Sequence, residues 1–278
     1  MSCPYLAMTT LKDEVFLLYR QRGGHCAINV YKHRDNMKEA TDVIPLPGTI
    51  AEYMTGCNVS NCVYLCLREG DFRTRFSVLR ISRDVDHKFK VSSWKTDDRQ
   101  SICMMSVSAN GSLIVLCSHG LRCSAAVYNA DATLQREILL SRDIDVYSYE
   151  SVFQKSNGNL VLSYVADQNN QQTLFELDMN GNVVRQLQWL YGPFLKNCVN
   201  FADDNDRIMI AKDSERMELL DFEFNLLGVY SLPKEHVKSI YCIDLNYDRS
   251  RNEIVRIQMD LSADTYMYVA TIFRLREE

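Results

Sequence analysis

Proline and glycine are scarce in this sequence, 5 and 11 of 278 residues. That excludes collagen-like and Pro/Gly-rich low-complexity chains. Long hydrophobic runs are missing too. Stretches such as Leu113–Cys117 are too short to span a bilayer as a helix, so no membrane partner is expected. The start, MSCPYLAMTTLKDEV, has no basic segment followed by an apolar one. No signal peptide is therefore expected, and the chain is assigned to the cytoplasm. There is no Cys-x2-Cys pair, no Cys/His quartet of zinc-finger spacing, no G-x-S-x-G, no Gly-rich phosphate loop and no heptad pattern. These absences point away from a zinc module, an α/β-hydrolase, a nucleotide-binding loop and a coiled coil. The reading they favour is a protein with no cofactor and no catalytic site.

Positive charge is also in short supply. The net charge is −5. A surface that grips DNA needs clustered Lys and Arg, so DNA is not expected as a partner. The balance is uneven, however. Residues 1–100 hold 15 basic against 12 acidic side chains, and residues 101–278 hold 16 against 24. The basic side chains are densest between Arg68 and Arg99, where Arg73, Arg75, Lys88, Lys90 and Trp94 form the best local set for RNA. Phe76, Val78, Phe89 and Val91 alternate with those charges, as a half-buried strand requires. A solvated, salt-bridged strand surface is the competing reading.

Cysteine, by contrast, is plentiful, with 10 residues. Most lie in apolar runs such as VYLCL and LIVLC, where a thiol acts as a small buried hydrophobe. Cys57 with Cys62, and Cys117 with Cys123, could face each other across hairpins. A reducing cytoplasm argues against a standing disulfide in either pair.

What the sequence does have is a repeat. Short apolar runs recur as VFLLY at Val15, VYLCL at Val63, LIVLC at Leu113, LVLSY at Leu160, IMIA at Ile208 and IVRI at Ile254. Two positions before each run stand Asp13, Asn61, Gly111, Gly158, Asp206 and Asn252. All are residue types that tolerate the positive φ of a tight hairpin turn. Their spacings are 48, 50, 47, 48 and 46. Flanking runs keep the same period: a strand before each turn, a third strand after each central run, and a more polar fourth strand in units one to five. Four antiparallel strands per unit, with no helical period between units, predict an all-β, six-bladed β-propeller. The blades are placed at about 5–47, 48–98, 99–143, 144–191, 192–234 and 235–278, forming one domain over 1–278. The sixth unit is one strand short and is expected to be three-stranded unless another segment completes it.

Units three to five resemble NHL repeats. The likeness rests on NGSLIVLCSHGLRCSAAVYNADATLQREI, NGNLVLSYVADQNNQQTLFELDMNGNVVRQL and NDRIMIAKDSERMELLDFEFNLLGVYSL. Asp178 and Asp221 hold the strand-end acidic position, and Asn129 replaces it in unit three. The resemblance is to the C-terminal propellers of invertebrate tripartite-motif (TRIM-type) proteins. It covers about residues 100–234 well and the rest by period only. It implies a recognition module for protein, or in some members RNA, such as the substrate-reading part of a ubiquitin-ligase system. The RING, B-box and coiled coil of that family are absent here.

Two further sets of residues remain. Tyr147, Tyr149, Trp189 and Tyr191 lie where the fourth unit begins and ends, and exposed aromatics there would suit a protein-binding hot spot. Packing between blades is the competing reading. Glu52, Glu150, Asn200 and Asp244 fall on predicted innermost strands. Six-bladed propellers include calcium-dependent lactonases, so these four are the candidate ligands of an alternative hydrolase reading. A role in capping strand ends competes with it. A binding scaffold for a protein partner is the leading expectation, with RNA through unit two and hydrolysis as alternatives.

Overall fold

The computed structural model describes residues 5–21, 25–32, 39–46, 50–69, 75–94, 101–119, 122–140, 149–166, 171–190, 199–201, 206–211, 216–231, 240–248, 253–260 and 267–274. Every regular element among them is a β-strand, and no helix is long and apolar enough to cross a membrane. The strands make antiparallel meanders of β-propeller type in which sequence neighbours pair. The contacts divide the chain into two compact units, residues 1–147 with 180–182, and residues 148–179 with 183–278.

The first unit holds three four-stranded blades. Blade one is β1 (Tyr5–Leu11), β2 (Glu14–Arg20), β3 (Cys26–Lys32) and β4 (Asp42–Pro45). Blade two is β5 (Ile50–Cys57), β6 (Cys62–Glu69), β7 (Arg75–Arg83) and β8 (Phe89–Trp94). Blade three is β9 (Ser101–Val107), β10 (Leu113–His119), β11 (Arg122–Tyr128) and β12 (Leu134–Leu139). The second unit holds two more four-stranded blades. These are β13 (Tyr149–Gln154) to β16 (Val183–Leu190) through β14 (Leu160–Ala166) and β15 (Gln171–Leu177), and β17 (Val199–Phe201) to β20 (Leu226–Ser231) through β18 (Ile208–Ala211) and β19 (Arg216–Leu220). The strands β21 (Ile240–Asp248), β22 (Glu253–Asp260) and β23 (Met267–Arg274) form a three-stranded sheet. The expectation of six blades, the last one strand short, is thus corrected to five four-stranded blades and a three-stranded sheet. Among the described residues the sixth repeat forms three strands, the last of which carries the apolar run YVATIF.

Period-2 alternation explains the packing. On β6, Val63, Leu65 and Leu67 join the core shared with blade one, beside Phe16, Leu18 and Ile28. Cys62, Tyr64 and Cys66 on the same strand point the other way, into the core shared with blade three beside Leu113, Val115 and Cys117. A strand buried on both faces therefore reads as a continuous apolar run. The fourth strands are covered on one face only, and β12 and β20 alternate accordingly. In the second unit Phe153, Val161 and Leu174 pack with Ile208, Ile210, Leu220 and Phe224.

The turns follow one scheme. Residues 84–88, 108–112, 129–133, 155–159 and 221–225 each close with the first N–H donating to the fifth C=O and the fourth N–H donating back to the first C=O. The fourth position takes positive φ at His87, Gly111, Ala132, Gly158 and Phe224. Such a turn matches the right-handed twist of its flanking strands. Of the predicted turn residues, Asn61, Gly111, Gly158 and Asp206 have positive φ, whereas Lys12 rather than Asp13 takes it in blade one. Asn252 lies outside the described residues. The strand-end Asp84, Asn129 and Asp221 each accept two N–H bonds through Oδ1, from residues two and four positions on. Burial opposes ionisation of Asp221, but the Asn225 amide, two backbone N–H groups and Arg185 hold its carboxyl below the usual range. The acidic position read as a family signature is thus the brace of a hairpin turn.

Adjacent blades are pinned at their first hairpins. Gly56 N donates to Thr9 Oγ1 at 2.8 Å, and Lys12 N donates to Asn58 Oδ1 at 3.1 Å. In the second unit Ser156 N and Oγ both donate to the Asp206 carboxylate, at 2.8 and 2.5 Å. Beside that pin, buried Lys155 donates to Glu176 Oε2 at 2.7 Å and to Phe222 O, and its Nζ lies 4.9 Å from the Phe224 ring centre. Asn159 Nδ2 and Arg185 Nη1 also donate to Glu176. Burial pushes the Glu176 carboxyl up, yet these partners outweigh it and hold the group below its ordinary value of 4.5.

Two stability measurements check these contacts. A Cβ on Gly56 would sit 2.3 Å from Thr10 O, a backbone atom that cannot swing away. Gly56→Ala is expected to lower unfolding free energy by about 2 kcal/mol in urea denaturation. Lys155→Met strips the buried Glu176 of its closest cation and is expected to cost about 3 kcal/mol, while Lys155→Met with Glu176→Leu recovers most of the loss. The wild-type contribution of Glu176 is full above about pH 4.5 and drains as the pH falls toward its lower folded-state value. A Lys155→Met deficit that persists unchanged in the double variant would refute the ion-pair account.

Candidate functional site

In the first unit, three hairpins converge around a cleft of about 680 Å³. Lys12, Asp13 and Glu14 come from the β1–β2 turn, Lys32 from the end of β3, Asn61 from the β5–β6 turn, and Arg83, Asp84 and His87 from the β7–β8 turn. In a meander the first-to-second and third-to-fourth turns fall at the same end of the sheet, so the chain path itself gathers these residues. Most of the lining carries charge, and both signs are present.

Arg83 organises the cleft. Its Nη2 donates to Glu14 Oε1 at 2.5 Å and to Asp42 Oδ2 at 3.4 Å, and its Nη1 donates to His87 O at 2.6 Å. The guanidinium lies 3.9 Å over the Phe89 ring, and Phe89 meets buried Phe16 edge-on at 6.0 Å between centres. A planar fork held by two carboxylates, a carbonyl and an aromatic face is a geometry that arginine satisfies and lysine does not. Asp84 supports the same loop by accepting from Asp86 N and Lys88 N. The result is a cleft of mixed charge in which Glu14, Arg83 and Asp84 are held by hydrogen bonds, suited to charged or zwitterionic surfaces. Among the described residues no group of three or more His, Cys, Asp or Glu is placed to hold a metal ion.

The sequence-predicted residues fall elsewhere in part. Lys88 and Lys90 are exposed at the turn end of the β7–β8 hairpin, next to the cleft. Arg75 begins β7 and Trp94 ends β8, at the opposite end of that hairpin. At about 3.3 Å per residue, Arg75 and Arg83 are about 26 Å apart along the strand. Arg73 lies outside the described residues. The backbone thus places Lys88 and Lys90 at one end of the hairpin and Arg75 with Trp94 at the other. Tyr149 and Trp189 share one end of their blade, but on its first and fourth strands, about 14 Å across the sheet. Tyr147 and Tyr191 lie outside the described residues. Glu52, Glu150, Asn200 and Asp244 all sit on the first strands of their sheets.

Five of the first strands, β1, β5, β9, β13 and β21, share a feature that sequence reasoning missed. Register breaks fall at Leu6, Glu52, Cys103, Glu150 and Ile243, where one residue on the first strand has no partner on the second. Such bulges re-aim a side chain and are common beside functional sites. The cleft was missed as well. Asp13 and Asn61 were read only as turn formers, and the anchoring role of Arg83 depends on residues up to 69 positions away.

No family model and no curated protein sequence matches the chain. Solved structures resemble it in fold. A Bacteroides caccae protein of unknown function shares 13% identity over 94% of this chain and 85% of its own, with a TM-score of 0.60. A gluconolactonase from Xanthomonas campestris shares 11% identity over 92% and 83%, with a TM-score of 0.56. A luciferin-regenerating enzyme shares 9% identity over 98% and 91%, with a TM-score of 0.55. At these identities the likeness extends to the propeller fold and no further. The NHL and tripartite-motif resemblance gains no support from any of these comparisons.

The Arg83 bracket can be checked directly. Arg83→Met keeps much of the apolar contact with Phe89 but removes the ionic bonds. It is expected to cost about 1 kcal/mol at low salt, discounted because the group is a quarter exposed. The difference from wild type should shrink in 1 M salt, where exposed pairs are screened at about 3 Å. A salt-independent loss in urea titrations would show that packing, not charge, carries the role of Arg83.

Proposed function

We propose that this chain is a recognition propeller with no chemistry of its own, and that the Arg83 cleft takes a charged, extended segment of a partner protein. The observation that supports the reading most is the array of mixed charge on three converging turns. A partner segment of alternating sign would find complementary groups there without reorganising the protein. Protein is favoured over RNA because the cleft lining carries acidic as well as basic side chains. The narrower reading, substrate recognition within a ubiquitin-ligase system, rests on the NHL resemblance alone.

A second reading is hydrolysis of a lactone or ester. It draws on the likeness to a gluconolactonase and on the bulges at Glu52 and Glu150, which place a carboxylate at an unpaired position on two first strands.

Crosslinking separates the two. With a benzophenone side chain in place of Asn61, irradiation of the full chain in lysate should give protein adducts, reduced about tenfold by Lys12→Glu with Lys32→Glu. Adducts no stronger than those of a control probe at exposed Val229, or adducts to RNA alone, would overturn the protein-recognition reading. Turnover of a lactone and ester panel that disappears in Glu52→Gln or Glu150→Gln would replace it with the hydrolase.

A further inference from the structure

Cys57 ends β5 and Cys62 begins β6, with the four-residue turn Asn58-Val59-Ser60-Asn61 between them. The two are direct cross-strand partners. Directly opposed residues in an antiparallel pair have Cα atoms about 4.5–5.5 Å apart, inside the range a disulfide requires. The other sequence candidate, Cys117 with Cys123, lacks this geometry: Cys117 is opposite Ser124, and Cys123 is opposite Ser118. Of the two candidate pairs, Cys57 with Cys62 is thus the opposed one.

The surroundings favour reaction at Cys57. Its S–H donates to Gly111 O at 3.8 Å, while its sulfur accepts the Ser60 N–H at 3.3 Å. The Cys62 thiol donates to it, and although burial opposes ionisation, these bonds lower the Cys57 thiol to about 6. Cys62 is pushed up, first by its bond to Cys57 and then by burial, while Arg80 bonds its sulfur and opposes the rise. The two sulfurs are thus bonded to each other, and that shared bond favours ionisation at Cys57 and opposes it at Cys62. Both side chains are fully buried. The turn above them is open, with Asn58, Val59 and Asn61 exposed, so the oxidant that fits is a small one.

We propose that Cys57 and Cys62 form a reversible disulfide when hydrogen peroxide reaches the pair. The Cys57 thiolate attacks one peroxide oxygen, the O–O bond breaks, and the leaving oxygen departs as water after taking a proton, with Cys57 left as the sulfenic acid. The Cys62 sulfur then attacks the Cys57 sulfur, the S–O bond breaks, and the Cys62 proton leaves with the oxygen as a second water. Two electrons pass from the two sulfurs to the peroxide, and a dithiol reductant returns them. The bond would close a ring around residues 58–61. That turn carries Asn58, which braces blade one through Lys12 N, and Asn61, which lines the Arg83 cleft. Oxidation would therefore stiffen one wall of the cleft. The redox chemistry stands whether or not the cleft recognises a protein.

The native full chain, treated with one equivalent of hydrogen peroxide, denatured in acid and tagged with N-ethylmaleimide, tests this by peptide mapping. The tryptic peptide spanning residues 39–68 should lose the tags on Cys57 and Cys62, keep the tag on Cys66, and regain both after dithiothreitol. The pair should be consumed about tenfold faster than Cys26 or Cys117, because a second thiol stands directly opposite to resolve the sulfenic acid. The wild-type mapping needs no variant to fold, and Cys66→Ser should leave the result unchanged. Full tagging at Cys57 and Cys62 while other cysteines oxidise would overturn the proposal. So would a Cys62–Cys66 bond, or a product at Cys57 that dithiothreitol does not reverse.

Discussion

The central strand of each blade is apolar on both faces, and no single sheet can cover both. Val63, Leu65 and Leu67 need blade one, while Cys62, Tyr64 and Cys66 on the same strand need blade three. A blade is therefore unstable alone, and each repeat must be flanked by others. The other features follow from that stacking. First strands approach closely enough that Gly56 has no room for a Cβ. Polar groups at the first hairpins must find partners on the next blade, as Lys12 does with Asn58 and Ser156 does with Asp206.

The buried pair Lys155–Glu176 shows how such a seam accommodates charge. An ammonium buried between two blades would be costly alone. Here it is met by a carboxylate, a carbonyl and an aromatic face, and the carboxylate by an amide and a second cation. Arg83 solves a related problem at the exposed rim of the first unit, with Glu14, Asp42 and Phe89. In both places a cation ties together turns that the backbone alone leaves unconnected. At the rim, where the charges remain partly solvated, the same arrangement creates a cleft.

Much of the fold was legible because stacking writes a period into the sequence. The apolar runs at Val15, Val63, Leu113, Leu160 and Ile208 mark the central strands, and Asn61, Gly111 and Gly158 mark their turns. The shortfall of the sixth repeat was legible as well, and it forms a three-stranded sheet; counting it as a sixth blade was the error. The strand-end acids misled too. Asp84, Asn129 and Asp221 brace the same five-residue turn, and turn physics selects them in any protein with that hairpin. The cleft was less legible still, since Lys12, Lys32 and Arg83 are spread over 72 positions and no short motif joins them.

Within the first unit the two ends of the strands have different chemistry, and the meander explains the division. One end gathers the first and third turns of each blade, so polar turn residues, the cleft and the Cys57–Cys62 pair accumulate there. The other end holds the starts of the first strands, where the register breaks at Leu6, Glu52 and Cys103. The second unit repeats the break at Glu150 and Ile243. A bulge at the same place in successive repeats relieves a shared strain, because closely packed first strands must twist more sharply than their partners. Its primary cause is therefore geometric, and it occurs at Leu6 as readily as at Glu52. The chemistry at each bulge depends only on which residue occupies it. That separation lets one scaffold carry a bare structural position in one blade and a carboxylate in the next.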